Sequence, residues 1–98
     1  MTLAELTALM NHFVRSKGWY EADSKRPQTP RNLAISLSLE AAEVLEHFQW
    51  NEEFVRENLA AELADVALYL LQLADVSGID LEEAILKKLD VNEKREWD

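Results

Sequence analysis

The sequence predicts an all-α fold, a four-helix, bundle-like domain that assembles into a homo-oligomer. Apolar residues recur at helical spacing in four segments separated by turn formers. No segment sustains the alternation of a strand, and strand assignments would have to override local propensity throughout. Two of the four segments are apolar on more than one side, which a helix wetted along one face is not. The 98 residues are 48% hydrophobic and 30% charged, with two Gly and two Pro. That composition describes a folded chain, and the length suits one domain spanning 1–98. A chain this short buries only about 60 to 68% of its unfolded surface, so association with further copies adds appreciable stability.

The first helix is expected over 3–17, with Leu3, Leu6, Met10, Phe13 and Val14 on one stripe. Thr2 is its N-cap, Glu5 completes a capping box, and Gly18 stops it. The run WYEADSKRPQTP from Trp19 to Pro30 holds both prolines and no period, so it reads as a loop of about a dozen residues, a length often given to function. A second helix is expected from Pro30 to Trp50, since Pro is accepted in a first turn. Leu33, Leu37, Val44 and Phe48 fall on one of its sides, and Ile35, Leu39, Ala42 and Leu45 cover much of the other. A third helix, Phe54 to Val76, is rich in Ala and Leu, is apolar nearly all round, and closes at Ser77-Gly78. The fourth runs from an Asp80 N-cap, with Glu83 forming another capping box, to about Arg95. Four helices from one chain can hardly cover two such apolar helices, which is the argument for a homo-oligomeric core.

Charge and composition narrow the function. Nineteen acids against ten bases leave a formal net charge of −9, a field that repels nucleic-acid polymers and anionic membranes. The absence of cysteine excludes a disulfide scaffold, thiolate-bound zinc and thiol catalysis, and makes the cytoplasm the natural compartment. The N-terminus lacks the basic and apolar regions of a signal peptide. The longest uninterrupted apolar run in the third helix is Val66 to Leu71, too short to span a membrane. An acidic protein that handles a polyanion needs a local device to reverse its own field, such as bound cations.

Acids stand where leucines belong. Glu40 lies angularly between Leu33 and Val44 inside an apolar face, with Glu43 one turn along; on the third helix Glu62 and Asp65 repeat the spacing, and Tyr69 continues their stripe. Residues three apart on a helix have Cβ atoms roughly 5 to 6 Å apart, so each pair can direct two carboxylates into one volume. From the residues alone two readings stand. One is a pair of solvated, Glu-rich helix faces, and the other is a site for hard dications such as Mg2+, which bind oxygen and bridge carboxylates to phosphates. A di-iron bundle is disfavoured, because it calls for Glu-x-x-His and neither pair has His at the fourth position. His12 and His47 read as surface or packing residues.

The ordered set Gly18-Trp19, Pro30-Arg31-Asn32-Leu33, Glu40-x-x-Glu43, Phe48-Gln49-Trp50, Glu62-Leu63-Ala64-Asp65-Val66, Tyr69 and Lys88-x-x-x-Asn92 resembles the MazG-like, all-α nucleoside triphosphate pyrophosphohydrolases, and within them the dCTP pyrophosphatase branch. The resemblance runs over nearly the whole chain. It implies hydrolysis between the α and β phosphates to the monophosphate and pyrophosphate, as house-cleaning of the nucleotide pool, by a dimer or tetramer whose sites use more than one protomer. It further implies Glu40, Glu43, Glu62 and Asp65 as catalytic magnesium ligands and Tyr69, Lys88, Asn92 and Arg95 as a triphosphate grip. Trp19 and Trp50 resemble aromatics that enclose the base, with Asn32 and Phe13 as weaker pocket candidates. Alone, Lys88 and Arg95 are also explained by favourable charge near a helix C-terminus, and the tryptophans by capping of the core. Two departures bear on the base: Gln28-Thr29-Pro30 replaces the branch's His-Gln-Pro type of run, and the end reads Arg95-Glu96-Trp97 in place of a basic residue, Tyr and Pro. Broad or dUTP-directed hydrolysis, and a non-enzymatic acidic helical module, are the alternatives.

Overall fold

Local capping sets where each helix starts and stops. The computed structural model describes residues 1–97, over which the helices are α1 (Leu3–Ser16), α2 (Pro30–Glu46), α3 (Arg56–Val76) and α4 (Leu81–Lys94), with no strand among the described residues. Thr2 Oγ1 accepts from the Glu5 amide at 3.1 Å and the Glu5 carboxylate accepts from the Thr2 amide at 3.2 Å, a complete capping box. Thr29 caps α2 at the Asn32 amide, with Pro30 in the first turn. On α4 the box is only half made. Asp80 accepts from the Glu83 amide at 3.1 Å, but the Glu83 carboxylate reaches forward to Lys87 at 2.8 Å instead of back to the cap.

Two helices end in the same way. Gly18 (φ 72) and Gly78 (φ 70) take the left-handed conformation. The amides of Trp19 and Ile79 then donate to the carbonyls of Val14 (3.3 Å) and Ala74 (2.9 Å), the six-to-one bond of a Schellman turn. The first of these turns delivers Trp19 directly off the end of α1. Gly18→Ala places a Cβ on that left-handed backbone and is expected to lower stability by about 1 kcal/mol, read as a shift in the urea midpoint.

Two helix bounds differ from the sequence expectation. α2 stops at Glu46 and not at Trp50, because His47, Phe48 and Gln49 donate to carbonyls only three residues back, which tightens the chain out of the α-helix. α3 starts at Arg56 and not at Phe54: Val55 is extended, and the Phe54 ring meets Phe48 edge-on at 5.5 Å across the connection.

The main packing surface lies between α2 and α3, which run in opposite directions, and α1 rests on α3. Met10, Val14, Leu33, Leu71 and Ala74 form the core, and Asn11 and Gln72 are buried among them. α4 touches α3 only lightly and buries none of its residues. The radius of gyration is 15.9 Å, above the about 13 Å of a compact chain of 100 residues. α2 is packed on the side of Leu33, Leu37 and Val44, while Leu39 (61%) and Leu45 (72%) on the opposite side are exposed.

Candidate active site

The antiparallel pairing of α2 and α3 brings the first acid of one helix against both acids of the other. Single carboxylate oxygens of Glu40, Glu62 and Asp65 lie within 4.8 Å of one another. Glu40 and Glu62 are half-buried and Asp65 is exposed, and Glu40 Oε2 is fully buried with no protein partner. Glu43 stands at the edge of this cluster, exposed, close enough to act on Glu40 but outside the set of three. Three anionic groups at this separation are tolerated only if one carries a proton or a cation sits among them. A buried carboxylate oxygen left without a partner in an all-carboxylate set is the donor chemistry of a hard, oxygen-loving metal ion.

Without such an ion the proton goes to Glu40. The facing Glu62 carboxylate, then burial, then the charges of Glu43 and Asp65 push its pKa up to about 7. Glu62 is held below the usual range, first by hydrogen bonding with Glu40 and then by Glu43 and His47. His47 Nε2 stands 3.6 Å from Glu62 Oε1, so a residue that spacing assigned to surface or packing lies against the acid cluster. His47 is the C-cap of α2, still in the right-handed helical conformation and four residues past Glu43, so it continues the stripe of the acids.

These shifts set a pH dependence. Glu40's raised pKa stabilises the fold fully below 4.5, and that contribution vanishes as pH rises through about 7. The lowered pKa of Glu62 contributes above its unfolded value and is lost on acidification. The metal-free protein is therefore most stable between the two titrations. Its thermal midpoint, followed by circular dichroism in chelator, should fall as pH rises through 7; Glu40→Gln, which stays neutral, should flatten that limb.

A groove of about 580 Å³ leads away from Asp65 along α3. Leu68, Tyr69 and Gln72 form one wall, Asn32, Leu33 and Ser36 of α2 another, and Met10, Phe13, Val14 and the loop residues Trp19, Lys25, Arg26, Pro27 and Gln28 complete it. Seven residues separate Asp65 from Gln72, about 10 Å along the helix. The loop is pinned by a chain of polar side chains. Gln72 Nε2 donates to Gln28 Oε1 (2.7 Å) and to the Tyr20 hydroxyl (3.3 Å), Tyr20 donates to Asn11 Oδ1 (2.5 Å), and Asn11 Nδ2 donates to Asp75 (2.9 Å). Gln28 also closes on the Arg26 carbonyl (2.6 Å), and Asn32 on that of Pro27 (2.9 Å). Buried polar groups joined in this way fix one conformation.

Of the residues singled out in the sequence, Trp19, Asn32, Asp65, Tyr69 and Phe13 share this groove. Trp50 lies outside it, 87% exposed on the turn after α2. Lys88 and Arg95 are exposed and Asn92 half-buried on or beside α4, none of them lining the groove. The Arg95 guanidinium covers the Trp97 ring at 4.3 Å, and Asn92 Oδ1 is buried without a partner. Lys25, Arg26, Ser36, Gln28 and Gln72 were not among the site candidates read from the sequence, although Gln28 stands in the run that departs from the branch. The loop pair of bases and the amides at Gln28 and Gln72 repeat no spacing, and only the fold gathers them.

An all-α chain with a carboxylate cluster at one end of a groove between two antiparallel helices defines a recognisable class, and residues 35–97 match the MazG-like family. The chain belongs to that family. It is 33% identical over 104 residues to human dCTP pyrophosphatase 1 and 32% identical to the mouse protein, each match covering 96% of this chain. It spans only 58% of the length of those curated relatives. A dATP/dGTP diphosphohydrolase of Salmonella phage PMBT28 is 47% identical over 38 residues, 13% of its length. The crystal structure of a pyrophosphatase from Archaeoglobus fulgidus superposes with a TM-score of 0.79 at 37% identity, over 93% of this chain and 88% of that one.

Proposed function

We propose that this chain is a magnesium-dependent nucleoside triphosphate pyrophosphohydrolase that cleaves dCTP, or a closely related pyrimidine deoxynucleotide, to the monophosphate and pyrophosphate. The convergence of Glu40, Glu62 and Asp65 at one end of an aromatic-lined groove carries the reading. Kinship with proteins named dCTP pyrophosphatase and pyrophosphatase supports it.

Glu40, Glu62 and Asp65 would hold the ions, with Glu43 at the margin. Magnesium held there would supply the positive charge that a −9 protein needs to accept a polyphosphate, and would offset charge on the phosphate oxygens. One of the cluster's carboxylates takes the proton from the water that attacks phosphorus. Tyr69 lies on the groove wall one turn beyond Asp65, where its hydroxyl can donate to a phosphate oxygen, and Trp19 and Asn32 line the farther part, where sugar and base would rest. The exposed apolar side of α2 suits a second copy, giving a dimer or tetramer in which Trp50, Lys88, Asn92 and Arg95 of one chain reach the groove of another. House-cleaning of the cytoplasmic nucleotide pool is the role that fits. Among the described residues no helix is long and apolar enough to cross a membrane.

The deciding experiment is a panel of common and modified nucleoside triphosphates scored for pyrophosphate with and without magnesium. Metal-dependent pyrophosphate release, highest for a cytosine deoxynucleotide, is expected. Single phosphates as product would overturn the proposed cleavage. Equal turnover of purine substrates would favour the broad-specificity alternative.

A further inference from the structure

We propose that Arg26 reads the base of the substrate: its guanidinium donates to the two adjacent acceptors, O2 and N3, of a cytosine lying beside it on the face of Trp19. The inference rests on the pyrophosphohydrolase reading above and deepens it by naming the group that selects the base.

Arg26 is held by its backbone and free at its head. Its amide donates to Ser24 Oγ at 3.0 Å, and its carbonyl accepts from Gln28 Nε2 at 2.6 Å, which ties it to the buried Gln72–Tyr20–Asn11 chain. The guanidinium itself forms no ion pair or side-chain hydrogen bond among the described residues, in a chain with 19 acids. It lies over the Trp19 ring, 5.7 Å from the centroid. That is farther than the about 3.5 to 4 Å of carbon atoms in contact, so the guanidinium is not closely stacked on the indole. Phe13 supports the indole edge-on at 5.7 Å and 83°.

Position in the groove separates base from phosphate. The carboxylate cluster occupies the Asp65 end, while Arg26 is tied to Gln28 and through it to Gln72, about 10 Å along α3. With the scissile phosphates at the acids, the heterocycle falls at the loop. A base stacked on Trp19 would lie within reach of the guanidinium, whose planar fork can donate two hydrogen bonds in the plane of the base. Arginine pairs two donors with two neighbouring acceptors, as it does with O6 and N7 of guanine. Cytosine offers O2 and N3. Uracil and thymine carry a hydrogen on N3, so one donor of the fork would face another donor.

The test compares wild type, Arg26→Lys and Arg26→Met in two measurements, the ratio of kcat/KM for dCTP over dUTP and, by calorimetry, the ratio of dCMP to dUMP affinity. Arg26 is exposed, so neither substitution disturbs the core, and circular dichroism verifies the fold. Wild type should favour the cytosine compound in both, and both variants should lose about tenfold or more of that preference, Lys failing to rescue because it keeps the charge but not the fork. Rescue by Lys would overturn the proposal, as would a uniform loss for dCTP, dUTP and inorganic triphosphate, which marks a phosphate contact. An unchanged dCMP preference would do the same. Because monophosphate binding needs no turnover, an enzyme reading that fails for want of pyrophosphate leaves this outcome separately legible.

Discussion

Glu62→Gln should lower pyrophosphate release by on the order of a thousandfold while leaving helix content and oligomeric state those of the parent. Glu62 faces Glu40 across the α2–α3 seam, and its carboxylate belongs to the converging set of three. Glutamine keeps the shape but presents at most one neutral oxygen where an anionic pair stood. That weakens hold on a hard dication and leaves the phosphates facing less compensating charge. Glu43→Gln should reduce turnover in the same direction. Magnesium titration by calorimetry, run beside a pyrophosphate assay, separates lost metal binding from lost chemistry. Wild-type turnover by the Glu62 variant would remove the acid cluster from the mechanism.

The largest effect on stability is expected from Leu33→Ala. Leu33 is 2% exposed, the most completely enclosed large side chain among the described residues, in the first turn of α2 where it lines the groove beside Met10 and Val14. Truncating a leucine so enclosed costs about 2 to 5 kcal/mol, against about 5 to 15 kcal/mol that hold a typical domain together. The variant should unfold at a much lower urea concentration, and Leu33→Met, which conserves volume, should lose less than about 1.5 kcal/mol. Leu39→Ala is the informative companion. In the single chain Leu39 is 61% exposed and its loss should be nearly silent, so a cost comparable to that of Leu33 would mean that another copy covers it.

Much of the fold was legible because its signals are local. Thr2 with Glu5, Thr29 with Pro30, Asp80, and the two glycines each mark a helix end through backbone groups a few residues away. The differences lie where two interactions within reach compete: beyond Glu46 the amides bond three residues back and Phe48 meets Phe54 across the connection, and Glu83 pairs with Lys87 in place of its own cap. The acid cluster was visible as charge inside apolar faces. What spacing could not supply was the partner across the seam, Glu62, which is why His47 was read as a surface or packing residue. The loop wall of the groove was least legible. Lys25, Arg26 and Gln28 sit in an aperiodic run, and their shared direction depends on Gln72, more than forty residues later. The positions given by Trp50 and α4 reflect one chain by itself, since neither is enclosed by it.

The side chains that moor the loop are chiefly amides, Asn11, Gln28 and Gln72, and amides do not ionise. At the opposite extremity the carboxyls exchange a proton near neutrality. In the metal-free chain a change of acidity near neutrality therefore alters the charge of the acid cluster while the amide moorings of the loop keep their contour.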